Sequence, residues 1–181
     1  MASGRVTRRA VLKAGAAATA TRLTTTIPLG AFVLPADGPR VFTRDQFALL
    51  DELTEIVIPA DERSGGARAA GVAAYIDAIL AEEADAAGTA TFVGGLALVD
   101  AMARQRHGRA FLAAAPGERE AIVGALAEGE SDPKTDEARF FVALKARTVR
   151  GYYTSRIGIH DDQGYKGNTM QEEYSGIDVS K

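Results

Sequence analysis

The sequence predicts an all-α protein: a single bundle-like domain of about five helices, ending in an extended glycine- and tyrosine-rich segment. Three observations predict it. Apolar residues recur three and four positions apart in separate stretches, a spacing that lines one face of a helix. Each stretch is bounded by a capping residue, a proline or a glycine. No alternating run of strand length occurs between them. The chain has 181 residues, enough for one domain with its own core.

The elements follow in order. Residues 35–41, PADGPRV, read as a linker, with two prolines, a glycine and no period. Thr43-Arg44-Asp45-Gln46 is a capping-box pattern, with Thr43 as N-cap and Gln46 three residues on. Phe47, Leu50, Leu53 and Val57 then recur at helical spacing until Pro59 stops the run. Residues 59–70 read as a glycine-containing loop. Val72, Ile76, Ile79 and Leu80 share one face of a second helix, which Gly88 should end. Phe92, Leu96, Val99 and Met102 or Ala103 mark a third helix, closing at Gly108. Gly94 and Gly95 either weaken its start, at ~1 kcal/mol each relative to alanine, or let another element approach closely there. Pro116 suits the first turn of a fourth helix, with Glu118 and Glu120 near its positive end. Ile122, Val123 and Leu126 form its apolar side, and Gly129 should end it. Asp136 is placed to cap a fifth helix that buries Phe140, Phe141, Leu144 and Thr148. Residues 151–181 hold five glycines and four tyrosines and show no helical period. Their tyrosines and isoleucines argue for a segment laid on the bundle or on a partner, not for a disordered tail.

Charge divides the chain. The formal net charge is −3, yet residues 1–36 carry Arg5, Arg8, Arg9, Lys13 and Arg22 and no acid. Residues 37–181 therefore hold 16 basic side chains against 24 acids. A body that acidic repels nucleic acid, and no basic stripe interrupts it. There is no cysteine, which excludes disulfides, thiolate catalysis, zinc–thiolate sites and c-type haem attachment in this chain.

The basic front end has the form of an address. Thr7-Arg8-Arg9-Ala10-Val11-Leu12-Lys13 resembles the twin-arginine export consensus: a hydroxyl residue, two arginines, any residue, two apolar residues and lysine. Arg8, Arg9, Leu12 and Lys13 are its signature residues. The weakly apolar Ala/Gly/Thr region behind them suits that class of signal. A spanning helix over residues 14–35 would place Arg22 in the bilayer interior at a cost of ~2.5 kcal/mol or more. The expected division is a leader over residues 1–36 and a helical body over 37–181, with 151–181 as its tail. This export route moves folded proteins, so the body should carry a cofactor site or a partner surface.

The body offers little chemistry. Asp61-Glu62 could be paired carboxylates, but nothing nearby supplies a nucleophile or a histidine, and Asp61 suits a turn that bonds backbone amides. His160-Asp161-Asp162 has too few donors for a strong metal site, and the other histidine, His107, belongs at a helix end. Ser155 lacks a nucleophile elbow and a base, and no dinucleotide fingerprint follows a strand. The aromatic set Tyr152, Tyr153 and Tyr165 fits either an interface or the packing of the tail. An exported unit without a cofactor site of its own points to a cofactor held by a partner.

Several runs carry a family resemblance. They are Phe47…Leu50-Asp51…Ile56-Val57-Ile58-Pro59-Ala60-Asp61, then Gly65-Gly66-Ala67-Arg68…Ala70-Gly71-Val72…Ile76-Asp77. Gly94-Gly95-Leu96…Asp100, Phe111-Leu112 and Gly151-Tyr152-Tyr153-Thr154-Ser155…Ile157-Gly158…Gly164-Tyr165-Lys166-Gly167-Asn168 complete the set. In this order they resemble the gluconate 2-dehydrogenase subunit 3 family. The resemblance implies a helical, cofactor-free small subunit. Its partner would be a large FAD-containing subunit of the glucose-methanol-choline type, often joined by a c-type cytochrome. The complex would oxidise sugars, sugar acids or glycosides in the periplasm, and the small subunit would carry the flavin subunit through the twin-arginine translocase. Pro59, Asp61, Gly71, Tyr152, Tyr153, Ser155, Tyr165 and Asn168 are then the candidate partner contacts. Two other readings stand beside it. One is an exported helical binding module without redox chemistry. The other is a metal-dependent periplasmic enzyme using Asp61, Glu62, His160 and Asp162.

Overall fold

The computed structural model describes residues 32–83 and 86–167, so the leader signature Arg8, Arg9, Leu12 and Lys13, together with Asn168, lies outside the described residues. Among the described residues the architecture is all-α, with no strand. Helix α1 spans Arg44–Val57, α2 Gly66–Ala70, α3 Val72–Glu83, α4 Ala86–His107, α5 Pro116–Ala127 and α6 Asp136–Thr154. A 3-10 turn at Phe111–Ala113 joins α4 to α5, and a wide π turn at Ile157–Asp162 follows α6.

The helix starts follow from local chemistry. Thr43 and Gln46 form the expected capping box: Gln46 N donates to Thr43 Oγ1 (3.2 Å) and Thr43 N donates to Gln46 Oε1 (2.9 Å). Pro116 is the first residue of α5, and Glu118 Oε2 accepts from Ala115 N at 2.8 Å. Gly108 turns left-handed (φ 69°) after His107 and closes α4 as expected.

Helix α6 is the axle of the bundle, touching every other α-helix and the π turn. Its most extensive partner is α4. The two meet at an aromatic contact, with the Phe92 and Phe140 rings edge to face at 5.8 Å and 83°. Gly95 is what permits it: a Cβ there would lie 2.6 Å from Cε2 of Phe140 and nearer still to other ring atoms. The expected reason for the glycine pair therefore holds for Gly95, while Gly94 faces open space. Leu50, Leu53, Ile76, Val99, Ile122 and Leu144 complete a fully buried core, each worth roughly 1.5–3 kcal/mol of transfer free energy.

The structure corrects four expectations. Residues 66–70 form a short helix within the expected loop, ending on left-handed Gly71 (φ 71°). Gly88 ends nothing: it lies in the first turn of α4, where the surrounding alanines outweigh its ~1 kcal/mol penalty. The N-cap of α6 is Thr135, whose Oγ1 accepts from Ala138 N at 3.2 Å, while Asp136 is the first helical residue and pairs with Arg139. Gly151 to Thr154 are not extended but form the last turn of α6, because Gly151 and Tyr152 are buried against neighbouring elements. Of the described tail, only Ser155 and residues 163–167 lack regular structure.

Candidate partner-docking site

Two segments were singled out in the sequence; residues 59–72 meet the described part of the other, residues 151–167, at one corner of the bundle. The loop after α1 is built by its own polar groups. Asp61 Oδ1 accepts from Arg63 N and Ser64 N, both at 2.8 Å, while Asp61 N donates to Ser64 O at 2.9 Å. This is the turn role expected for Asp61. Glu55, on the last turns of α1, accepts from Ala60 N (3.1 Å) and Arg68 N (2.7 Å), so one carboxylate holds both sides of the loop. Gly66 adopts φ 70° there, and a Cβ would lie 2.9 Å from the Pro59 carbonyl carbon.

The end of α6 closes onto this loop. The Tyr152 hydroxyl hydrogen-bonds the buried Ser64 hydroxyl across 88 residues of sequence. Ser155 then reverses the chain: its Oγ donates to Tyr152 O (2.6 Å) and accepts from Gly158 N (3.1 Å). Gly158 packs on the Tyr152 carbonyl so closely that a Cβ would fall 2.8 Å from its carbon and nearer to its oxygen. Ile157 seats on the side where Gly65 lacks a side chain. The π turn is thus latched to both the helix and the loop.

The candidate contacts divide into two groups. Tyr152 and Ser155 are buried and build the corner from inside. Gly71 is half-buried, and the backbone of Phe32 lies across it. Pro59, Asp61, Tyr153 and Tyr165 are exposed, with Tyr153 40% and Tyr165 47% accessible despite their large rings. Tyr153 stands edge to face on Tyr152 at 5.1 Å, and His160 Nδ1 donates to Tyr165 O at 2.7 Å. The exposed rim carries Asp61, Glu62, Asp161 and, half-buried, Asp162. Burial pushes the Tyr152 phenol up, and the charges of Asp162, Asp61 and Asp161 push it further. The Tyr153 phenol is also raised, chiefly by its hydrogen bond to Asp162.

The buried hydroxyls of this corner, on Ser64, Tyr152 and Ser155, are hydrogen-bonded to one another or to backbone. Among the described residues no group of three or more His, Asp and Glu side chains is placed to hold a metal ion. Two grooves elsewhere carry ion pairs. One, between α4 and α6, is lined by Gly94, Leu98, Asp136 and Arg139, and its acid and base pair with each other. In the other, Asp100 accepts from Phe111 N at 2.9 Å and pairs with Arg104.

Sequence reading missed Ser64 and Glu55. Nothing in a glycine-rich loop distinguishes a serine whose partner lies on another helix. Glu55 follows Asp51 and Glu52 at helical spacing, and in sequence such a run of acids reads as a solvated face.

The model of the family described as Gluconate 2-dehydrogenase subunit 3 matches residues 44–170. That span runs from the first residue of α1 into the tail and contains the whole corner. No curated protein and no solved structure matches the chain. Both segments of the corner fall inside the matched span, in an all-α frame of the predicted class, and the chain belongs to the gluconate 2-dehydrogenase subunit 3 family, as an accessory subunit of a dehydrogenase complex.

Proposed function

We propose that this chain is the non-catalytic small subunit of a periplasmic FAD-dependent dehydrogenase that oxidises a sugar, sugar acid or glycoside. It holds no cofactor. Its partner is a flavin-bearing subunit of the glucose-methanol-choline type, with a c-type cytochrome as a further member of the complex. The leader residues Arg8 and Arg9 present the folded pair to the twin-arginine translocase, so the flavin subunit crosses as a passenger.

One observation carries this reading. The corner formed by residues 59–66 and 152–165 exposes Tyr153 and Tyr165 over a rim of carboxylates, while the buried hydroxyls of Ser64, Tyr152 and Ser155 are hydrogen-bonded. Tyrosines of that kind give large contact area at low entropy cost. The test is co-purification with the flavin subunit. Tyr153→Ala and Tyr165→Ala together should reduce recovery of flavin absorbance at least tenfold while the small subunit itself stays folded. Replacing Arg8 and Arg9 by lysine should strand the flavin subunit in the cytoplasm. Normal periplasmic sugar oxidation in the arginine double mutant would remove the export role, and undiminished flavin recovery would remove the docking face.

A further inference from the structure

The stretch that reads as a linker is fastened to the bundle at both ends. At one end, Phe32 N donates to Ala70 O at 3.2 Å and the Phe32 ring lies 4.9 Å from that of Tyr75. Its carbonyl crosses left-handed Gly71, where a Cβ would sit 2.9 Å from Phe32 N and nearer to its oxygen. At the other end, three consecutive amides converge on one buried carboxylate. Arg40 N donates to Asp77 Oδ2 (2.8 Å), and Val41 N and Phe42 N donate to Oδ1 (2.9 and 3.3 Å). Asp77 is 1% exposed on α3, and Phe42 is buried beside it. Between the anchors the chain makes a closed turn, with Gly38 N donating to Pro35 O at 3.0 Å. Asp77 is an acid on the apolar side of a core helix, and it accepts from these three amides; its purpose in the fold is to hold this segment.

We propose that residues 32–42 form a strap that belongs to the mature subunit, and that proteolytic trimming of the leader falls on the N-terminal side of Phe32. The second half rests on the export reading above. The reasoning is one of order of events. A chain that crosses the membrane folded meets its processing peptidase with the strap already seated. The peptidase adds water across one peptide bond, giving a carboxylate and a new amine, and it needs that bond in an extended, accessible stretch. Residues 32–42 present a hydrogen-bonded turn between two clamps. A cut at the expected leader boundary, after Ala36, would strip Phe32 from Gly71 and Tyr75. The conformation of Gly71 then has its reason in the strap as well as in the helix end.

Two measurements on the full chain test this. In limited trypsin digestion, Arg40 is the only basic residue of the strap before Arg44. The Arg40–Val41 bond should be cut at least ~100-fold more slowly than in a synthetic peptide of residues 32–48, because cleavage requires local opening. Asp77→Asn keeps the size but turns an amide donor toward the Arg40 or Val41 N–H, and should speed that cut at least tenfold. Circular dichroism shows whether the variant stays folded, and wild-type protection stands without it. A wild-type bond cut as fast as the peptide would overturn the strap. The second measurement is the intact mass of the periplasmic subunit. A trimmed N-terminus at or before Phe32 supports the proposal, and one at Val33 or later, or an untrimmed chain, refutes it. A subunit found only in the cytoplasm would sink the export reading and the trimming with it, while the digestion still decides the strap.

Discussion

The adjacent glycines of α4 should respond in opposite directions to the same substitution. Gly94→Ala places a methyl group in open space, with no atom within 4 Å of its Cβ. Only the helical propensity changes, a gain of ~0.5–1 kcal/mol. Gly95→Ala gains the same propensity but drives its Cβ to 2.6 Å from Cε2 of Phe140 and closer to other ring atoms. Ordinary carbon–carbon contact needs ~3.5–4.0 Å, so the ring must retreat by roughly 1–2 Å. It has no room to do so, being 1% exposed and held edge to face by Phe92 at 5.8 Å. Overpacking of this kind costs ~1–3 kcal/mol, which leaves a net loss of ~1–2 kcal/mol after the helix gain. At ~2–4 °C per kcal/mol for a chain of this size, Tm should fall by ~2–8 °C for Gly95→Ala and rise by ~1–4 °C for Gly94→Ala. Thermal unfolding of the isolated subunit followed by circular dichroism reads both. Trimming the ring with Phe140→Leu should shrink the Gly95→Ala penalty, since the two sites are in contact. Shifts of the same sign for both alanines, or an undiminished penalty in the Phe140→Leu background, would refute the account of the α4–α6 contact.

Two further outcomes test the corner. Tyr152→Phe removes the partner of the buried Ser64 hydroxyl and should destabilise the subunit by ~1–3 kcal/mol in urea unfolding, while Ser64→Ala in the same background recovers part of the loss. Alkaline titration should show Tyr152 and Tyr153 ionising above the ordinary tyrosine range, by burial for the first and by the bond to Asp162 for the second. Because their folded-state pKa values are raised, the stability they contribute is complete below pH ~10 and is lost as pH climbs through the folded values. Tyr153→Phe should abolish one of the two late transitions in ultraviolet difference absorbance, and Asp162→Asn should bring it earlier.

Much of the bundle was legible because its signals are local. The Thr43–Gln46 box, Pro116 and Gly108 each act within one turn of chain, and they set the starts of α1 and α5 and the end of α4 where expected. Gly95 was legible as an anomaly, because a glycine inside a helix needs an external reason. The misread elements depend on distant contacts. Residues 66–70 are helical where one carboxylate of α1, Glu55, holds the loop ends together. Gly151 and Tyr152 stay in α6 where the first packs on the Tyr75 ring and the second bonds Ser64. Tyr75 and Ser64 are far from residues 151–152 in sequence, so no window around the end of α6 contains the cause. The candidate contacts illustrate the same limit. Aromatic content marked Tyr152, Tyr153 and Tyr165 alike, and only the three-dimensional arrangement turns the first inward and the other two outward.

The charges behind the corner bear on how such a surface could bind. Glu52 of α1 pairs with Arg68 of α2 at 2.6 Å and with Arg119 of α5, while Arg68 also pairs with Asp51 at 2.6 Å. The bond to Asp51 outweighs the cost of partial burial and raises the guanidinium of Arg68 further above neutrality. Each exposed pair alone would contribute ~0–1 kcal/mol, but a network that ties three helices resists motion of any one. It joins the loop through Arg68, whose amide donates to Glu55 at 2.7 Å. The docking face we propose is therefore carried on a frame already fixed before a partner arrives. Side chains that need no further ordering save ~0.5–1.5 kcal/mol each on association. The exposed rings and carboxylates can remain few because the residues behind them, rather than the partner, hold them in place.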